Sequence, residues 1–350
     1  MIRRRPLLAG LPALALGRGA LALPERALVF PADHGAHPAL RTEWWYITGH
    51  AQAGGRDFGF QVTFFRTRVD ATQQMQSRFA AKQLLFAHAA VTDVQGARLW
   101  HDQRIARAGF GIAEADTADA RVHLRDWSLR RTGEAWQASV PAGDFSLALR
   151  CTPTQPVLLQ GHDGLSRKGP QPQQASYYYS LPQLAVAGRI VLRGAAFDVQ
   201  GKAWLDHEWS EELMHPEAVG WDWIGMNLDD GGALTAFRLR RRDGSPLWDG
   251  GSFRSAGGAL TIAQPGETTF TPLRHWTSPA THTSYPVEWR VRTPVGTYTV
   301  RARVDAQELD SRGSTGALYW EGLSDLLDAS GQRVGRGYLE LTGYAGRLRM

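Results

Sequence analysis

The stretch DFGFQVTFFR, residues 57–66, places Phe58, Phe60, Val62 and Phe64 two positions apart, on one face of an extended chain. The same period returns in EWRVRTPVGTYTVRARV (288–304). There Trp289 and Val291, then Tyr298, Val300, Ala302 and Val304, alternate with polar neighbours around a TPVG turn. NLDDGGALTAFRLR (227–240) reads as a hairpin whose Asp-Asp-Gly-Gly supplies the positive-φ residues of a tight turn. Helical periodicity is almost absent, and only SEELMHPEAV (210–219) reads as one or two helical turns. The pattern predicts an all-β chain, a sandwich or a barrel, with little helix.

The length of 350 residues suits two domains, and 43% hydrophobic with 21% charged residues is a globular composition. The formal charge is +5, but Arg3, Arg4, Arg5 and Arg18 contribute four of it, leaving +5 − 4 = +1. No basic run is interleaved with aromatics, which argues against a nucleic-acid partner. Those arginines belong to MIRRRPLLAGLPALALGRGALA (1–22), which has a basic start, a short apolar run and an A-x-A ending at Ala20–Ala22. The segment predicts a cleaved export signal of twin-arginine type, with an ordinary secretory signal as the alternative, and so a periplasmic or secreted chain beginning near Leu23. Cys151 is the single cysteine, so no intramolecular disulfide is available, and it reads as a packing residue.

A short internal echo relates WWYITGH…GGRDFGFQVTFFR to WDWIGMN…DDGGALTAFR. Trp44, Tyr46 and Ile47 line up with Trp221, Trp223 and Ile224. It points either to chance likeness between two hairpins or to duplicated β-domains. The domain boundary is expected around 200–215, giving an N-terminal domain over 30–205 and a C-terminal domain over 206–350. LSRKGPQPQQAS (165–176) is the most loop-like segment, an excursion within or at the edge of the first domain.

Aromatic residues crowd beside titratable ones in TEWWYITGH (42–50), SYYYS (176–180), AWLDHEWS (203–210) and GWDWIGMNLDDG (220–231). Strand alternation sorts them into faces. Glu43 goes with Trp45, and Trp44 with Tyr46; Tyr177 goes with Tyr179. His207 and Trp209 share an apolar face, while Trp204, Asp206 and Glu208 point the opposite way. Trp221 and Trp223 share a face opposite Asp222. A buried Tyr or Trp needs a polar partner, and a neighbouring acid or His supplies one. The alternative is an apolar cavity with a few convergent polar groups, the usual form of a small-molecule site. Such a cavity suits chemistry through a carbocation: a protonated acid attacks an alkene and the ring faces hold the cation. HEWSE fails the H-E-x-x-H pattern, and neither a G-x-S-x-G elbow nor a glycine-rich nucleotide loop occurs. His34 and His37 lack recognisable further ligands, so no metal and no cofactor is expected, and DHGAH (33–37) reads as a flexible start of the mature chain. Glu308, Asp310 and Glu321 read as partners for the plentiful arginines.

FPADHGAHPALRTEWWYITGH, GFQVTFFR, QLLFAHAAVTD, HDQRIARAGFG, ASYYYS, AWLDHEWS, GWDWIGMNLDDG, QELDSR, YWEG and GYLELTGY together resemble the secreted AttH-like proteins of the carotenoid 1,2-hydratase superfamily. The resemblance covers nearly all of 30–346 and implies two lipocalin-like antiparallel β-barrel domains packed together. Carotenoid hydratases add water to a terminal alkene without a cofactor. A His-x-Trp pair and a Tyr-x-Asp are implicated there, and His207 with Trp209 matches the first. The second departs from the pattern, since Asp222 is preceded two places back by Gly220. The family is also called predicted secreted hydrolases, but no nucleophile motif accompanies that name. The expected function is binding of a hydrophobic, isoprenoid or lipid-like molecule, with hydration or isomerisation of it. His207 and Asp222 or Glu43 would be the proton donors, with Trp44, Trp45, Tyr46, Tyr177, Tyr179, Trp209, Trp221 and Trp223 as walls. The alternative is a non-catalytic lipid or lipoprotein carrier working beside an envelope ABC transporter.

Overall fold

The structure is a computed structural model that describes residues 22–348. The expected export signal lies, apart from Ala22, outside the described residues. Among the described residues there is no α-helix, only two 3₁₀ turns at Ala32–His34 and Asp70–Thr72, and every ladder between strands is antiparallel. The helical turns expected at 210–219 do not form: a strand runs to Glu212, and turn and coil follow to Val219. Pro216 has no N–H to donate and disfavours the helical region for His215.

The first sheet holds thirteen strands. They are β1 (Thr42–Ala53), β2 (Arg56–Arg68), β3 (Gln83–Asp93), β4 (Arg98–Arg107), β5 (Ala113–Ala115), β6 (Arg121–Leu124) and β7 (Trp127–Thr132). Then come β8 (Ala135–Pro141), β9 (Phe145–Thr152), β10 (Leu158–Leu159), β11 (Leu165–Arg167), β12 (Ala175–Leu192) and β13 (Ala195–Glu212). Their order is β4-β3-β2-β1-β13-β12-β9-β8-β7-β6-β5, with β10 and β11 paired to β12. Ala87 and Val91 of β3 share one core with Val122, Leu124 and Trp127 near the opposite edge. The Arg104 guanidinium of β4 lies 4.6 Å from the Trp127 ring centre. The sheet therefore curls around a single interior as a barrel.

The second sheet holds β14 (Gly220–Leu228), β15 (Ala233–Arg240), β16 (Pro246–Arg254), β17 (Leu260–Ala263) and β18 (Thr269–Thr277). It continues with β19 (Ser284–Thr293), β20 (Gly296–Ala302), β21 (Glu308–Ser311), β22 (Ala317–Leu327) and β23 (Arg333–Leu341). The order is β17-β16-β15-β14-β23-β22-β20-β19-β18, around a second core that includes Ile224, Tyr285, Trp289, Val300 and Leu339. In each sheet the opening hairpin lies against the last strand, β1 on β13 and β14 on β23. The echoed segments occupy these equivalent places: Ile47 and Ile224 point into their own barrels. The first sheet extends to Glu212, so His207 and Trp209 belong to it rather than to a domain starting at 206.

A third apolar cluster forms the seam between the barrels, with Tyr46, Leu158 and Trp204 from the first and Trp223, Phe237, Leu239, Leu323 and Tyr338 from the second. Close backbone approach fixes the central strands of the first barrel. A Cβ at Gly201 of β13 would lie 1.9 Å from the His50 carbonyl oxygen. Gly201→Ala is expected to cost about 1–3 kcal/mol of stability through overpacking against backbone that cannot step aside. Gly143→Ala, at a turn where an added Cβ meets nothing within 4 Å, should be neutral or slightly stabilising. Urea denaturation midpoints of the two variants check the contrast.

Candidate functional site

Both faces are buried along most of β1, residues 175–184 of β12 and residues 203–210 of β13, so these stretches feed two environments. The inward row of the first barrel is a polar network among rings. Glu43 of β1 accepts from Arg66 Nε at 2.7 Å, and its other oxygen lies 3.0 Å from His207 Nε2 and 2.7 Å from His37 Nδ1. His37 Nε2 is 2.9 Å from Asp33, which Arg26 holds through two bonds of 2.7 and 2.8 Å. The Tyr179 hydroxyl lies 2.6 Å from His34 Nδ1 and 3.3 Å from His207 Nδ1. Trp45 stacks on His207 and Trp209 on His37. Tyr177 completes the wall beside Trp209 and donates to the Pro24 carbonyl at 2.5 Å.

Burial by itself would raise the Glu43 pKa, but bonds to His207 and His37 and the charge of Arg66 outweigh it and hold the carboxyl ionised. Burial lowers the His207 pKa, with Glu43 opposing in part. His37, His207 and Glu43 offer three ligand atoms within 4.8 Å of one another. Ligands around a shared zinc would sit about 3.3 Å apart. Here the imidazoles bond the carboxylate directly, and Arg66 already neutralises it, so the group reads as an ion network. The residues 33–37, expected to be flexible, are an ordered turn: Asp33 and His34 are buried and the turn plugs the barrel end. Its polar side chains are what hold it there.

The outward row meets the second barrel at a cavity of about 90 Å³. Its walls are Trp44, Tyr46, Phe65 and Tyr178 on one side, Trp221, Trp223, Phe237 and Tyr319 on the other. Four carboxyl groups reach it: Asp206, Glu208, Glu321 and Glu340. Glu208 pairs with Lys168 at 3.0 Å and accepts from the Ser176 hydroxyl. Lys168 also sits 4.7 Å from the Tyr178 ring centre and 4.3 Å from that of Phe237. Asp206 accepts from Ser180 at 2.5 Å, Trp204 at 2.6 Å and Tyr178 at 2.7 Å. Burial pushes its pKa up to about 7 against those three donors.

Glu321 and Glu340 are register partners on β22 and β23. Burial raises both above the usual carboxylate range, and mutual repulsion adds to it at Glu321. Glu340 accepts from Trp221 Nε1 at 3.0 Å. The Tyr46 hydroxyl and one Glu321 carboxyl oxygen are buried beside each other at the cavity wall, and neither is engaged by any other side chain or backbone group among the described residues.

The echo runs through this site. Tyr46 faces Asp206 across β1 and β13, and Trp223 faces Glu340 across β14 and β23. Asp206 and Glu340 are therefore equivalent acids in the two halves, each beside its own aromatic pair.

The sequence-derived candidates divide between three places. His207, Glu43, Trp45, Tyr177, Tyr179 and Trp209 line the interior of the first barrel. Trp44, Tyr46, Trp221 and Trp223 line the seam cavity. Asp222 is inside the second barrel, bound by Arg238 at 2.7 Å, Arg240 at 3.1 Å and the Tyr344 hydroxyl at 2.8 Å. Of the acids expected to meet arginines, Asp310 does so through Arg312 at 2.6 Å. Glu308 instead accepts from Ser278 and Thr281, and Glu321 faces Glu340. Cys151 is buried, with its pKa pushed up to about 12 by that burial, in keeping with packing.

Comparison with known proteins follows the same lines. The AttH-like family model matches residues 21–344. The chain belongs to the AttH-like family. A putative AttH from Nitrosomonas europaea is 46% identical, with a TM-score of 0.86, over 93% of this chain and 99% of that one. Kievitone hydratase from Nectria haematococca shares the fold at 12% identity and a TM-score of 0.71, over 91% of this chain and 94% of the other. The protein CghA does so at 13% and 0.57, over 93% and 96%. No curated protein sequence matches.

The AttH-like seam residues that sequence reasoning passed over are Asp206, Glu208, Glu340, Tyr178 and Lys168. Asp206 and Glu208 were visible as the face opposite His207, and the echo, extended one strand further, pairs Asp206 with Glu340.

The glutamate pair has a consequence for stability. Its folded pKa values lie above the unfolded value of 4.5, so the native state holds protons that the unfolded chain releases. Stability is full below the unfolded value and falls as pH rises through the raised ones. Glu321→Gln cannot ionise, so its stability relative to the wild type should grow from about pH 5 to about pH 8. Urea midpoints across that range test this, and a pH-independent difference would show that the pair is not held protonated.

Proposed function

We propose that this protein is a cofactor-independent hydratase-type enzyme acting on an apolar, isoprenoid-like molecule in the cavity between its barrels. The observation that carries the reading is the Glu321–Glu340 carboxyl pair, buried side by side and facing eight aromatic rings. A protonated carboxylic acid in a dry site is a competent donor to an alkene carbon. Glu321, whose burial and acidic neighbour raise its pKa well above the usual carboxylate range, supplies the proton. The alkene π-electrons form the new C–H bond, and the adjacent carbon becomes cationic. Faces of Trp44, Trp221, Trp223 and Phe65 stabilise that cation, each by about 0.5–2 kcal/mol. Water adds to the cationic carbon and its surplus proton passes to ionised Asp206; return of that proton from Asp206 to the ionised glutamate through solvent resets the site, so the net change is addition of one water. The names of two structural neighbours, one of them a hydratase, are consistent with this, though at that identity they share only the fold.

A cavity of about 90 Å³ holds roughly three waters at ~30 Å³ each. It therefore takes the reactive end of a ligand, with the rest lying along the adjoining cleft of about 230 Å³, whose lining includes Phe86, His88, Ser314 and Leu348. The basic-then-apolar pattern of residues 1–22 supports a site of action outside the cytoplasm. The alternative of a carrier serving an envelope ABC transporter needs the same cavity but has no use for a protonated acid.

The test is incubation with geranylgeraniol in heavy-oxygen water, read by mass spectrometry. The wild type should incorporate one heavy oxygen per molecule. Glu321→Gln should lose at least about a hundredfold in rate, the usual contribution of a general acid, while binding the probe within a few fold. The rate should be bell-shaped in pH: falling on the acid side as Asp206, near 7, becomes protonated, and on the alkaline side as Glu321, held well above the usual carboxylate range, ionises. Binding without incorporation in the wild type, for this and other prenyl alkenes, would favour carriage.

A further inference from the structure

Of the nine large hydrophobic side chains that the described residues leave exposed, five fall within residues 75–112: Met75, Phe79, Ile105, Phe110 and Ile112. They come from two loops, 69–82 and 108–112, and the end of β4, all at the same end of the first barrel. Phe79 is 67% and Phe110 49% exposed, and their rings stack at 5.6 Å. Stacking in solvent keeps two rings together without hiding either, which is unusual for a free surface.

Cations sit on these rings. The Arg78 guanidinium lies 5.5 Å from the Phe79 ring centre and 5.6 Å from that of Phe110, and Arg107 lies 4.6 Å from Phe110. Among the described residues neither arginine pairs with a carboxylate; Arg107 instead donates to the Phe79 carbonyl at 2.7 Å and the Arg78 carbonyl at 3.1 Å, fixing the loop. Lys82 and Arg125 are exposed nearby, as are three acids, Glu114, Asp126 and Asp70, the last paired with Arg68. An exposed aromatic tip ringed by unpaired cations matches the two layers of an anionic bilayer, acyl chains for the rings and phosphates for the guanidiniums.

The tip is also joined to the cleft. Phe65, Phe86 and Ile105 are successive register partners on the outward faces of β2, β3 and β4. Phe65 lines the seam cavity, Phe86 lines the adjoining cleft, and Ile105 is 41% exposed beside the tip. The cleft's lining includes Thr42 and Thr67, register partners at strand ends on the side of the 69–82 loop.

We propose that this end of the first barrel docks on an anionic lipid surface through Phe79 and Phe110, and that the Phe65–Phe86–Ile105 row carries apolar ligands between the bilayer and the cleft. Docking stands on the surface alone, whereas the ligand track rests on the reading of the cavity given above. The test therefore measures docking without any substrate.

The chain from Ala22 onward, which contains both sheets entire, is sedimented with vesicles of phosphatidylcholine, with and without phosphatidylglycerol. It should bind the anionic vesicles, more weakly at high salt. Phe79→Ser should weaken binding about tenfold or more through the lost apolar contact. Arg78→Gln should weaken it about fivefold on anionic vesicles only. Leu273→Ser, at an exposed apolar position on the second barrel, should bind as the wild type does. Absence of vesicle binding, unchanged binding by Phe79→Ser, or equal loss in Leu273→Ser would each overturn the proposal. So would a monomer–dimer equilibrium abolished by Phe79→Ser without vesicle binding, which would assign the tip to a second copy of the chain.

Discussion

A β-strand has two faces, and where β1 lies against residues 203–210 of β13, and these against residues 175–184 of β12, neither is given to water. Glu43, Trp45, His207 and Trp209 point into the first barrel, while Trp44, Tyr46, Asp206 and Glu208 point from the same strands into the seam. One wall thus serves two interiors, and a one-residue slip in register would exchange their contents. That constraint explains why the wall is rich in Trp and Tyr. Each ring fills a layer of a barrel or of the seam, and its polar tip needs a partner, which a neighbouring side chain supplies at Tyr178 and a backbone carbonyl at Trp45 and Tyr177. It also explains the acids, because a polar tip and a carboxyl group satisfy each other where water is excluded.

The same residue types take opposite charge states on the two sides of that wall. Glu43 meets Arg66 and two imidazoles, so its buried carboxyl stays ionised and is structurally committed. Asp222 in the second barrel is held by two arginines in the same manner. In the seam, Lys168 is spent on Glu208, and Glu321 and Glu340 are left with each other. A buried carboxyl without a cation resists its charge, and neutral hydrogen bonds such as the three at Asp206 offset the desolvation only in part. Reactivity is therefore read from the partner, not from burial or from the presence of a histidine.

This difference sets what could be read from sequence. The period-two runs at 57–66 and 288–304 gave the strand class, and alternation placed every aromatic of 43–46 and 221–223 on the correct side. The echo was legible as well: Trp44 and Tyr46 do occupy the place that Trp221 and Trp223 occupy in the second sheet. Alternation alone, however, does not say which face is the solvent side, and the usual expectation of one wet face made the His207 side look like the site. Partners distant in sequence were hidden: Arg238 and Arg240 stand 16 and 18 residues from Asp222, and Glu340 is 134 from Asp206. Lys168 was hidden differently. It enters the cavity from a segment of Gly, Pro and Gln that has no periodic signal at all.

Duplication supplies the two halves of the cavity, and a single difference between them divides their chemistry. In the first half the strand beside Asp206 offers Ser180, whose hydroxyl donates to the carboxyl and favours its ionised form. In the second half the equivalent neighbour of Glu340 is Glu321, a second acid whose ionisation burial and Glu340 disfavour. The hollow thus holds two acids raised to about 7, Asp206 and Glu340, and one held further from ionisation, Glu321. Pairs of titratable groups pushed apart by their surroundings are how one site runs acid and base steps together. A symmetric pair of barrels would offer two identical acids and no division of labour. The exchange of a hydroxyl for a carboxyl at one position on a shared scaffold is enough to create it.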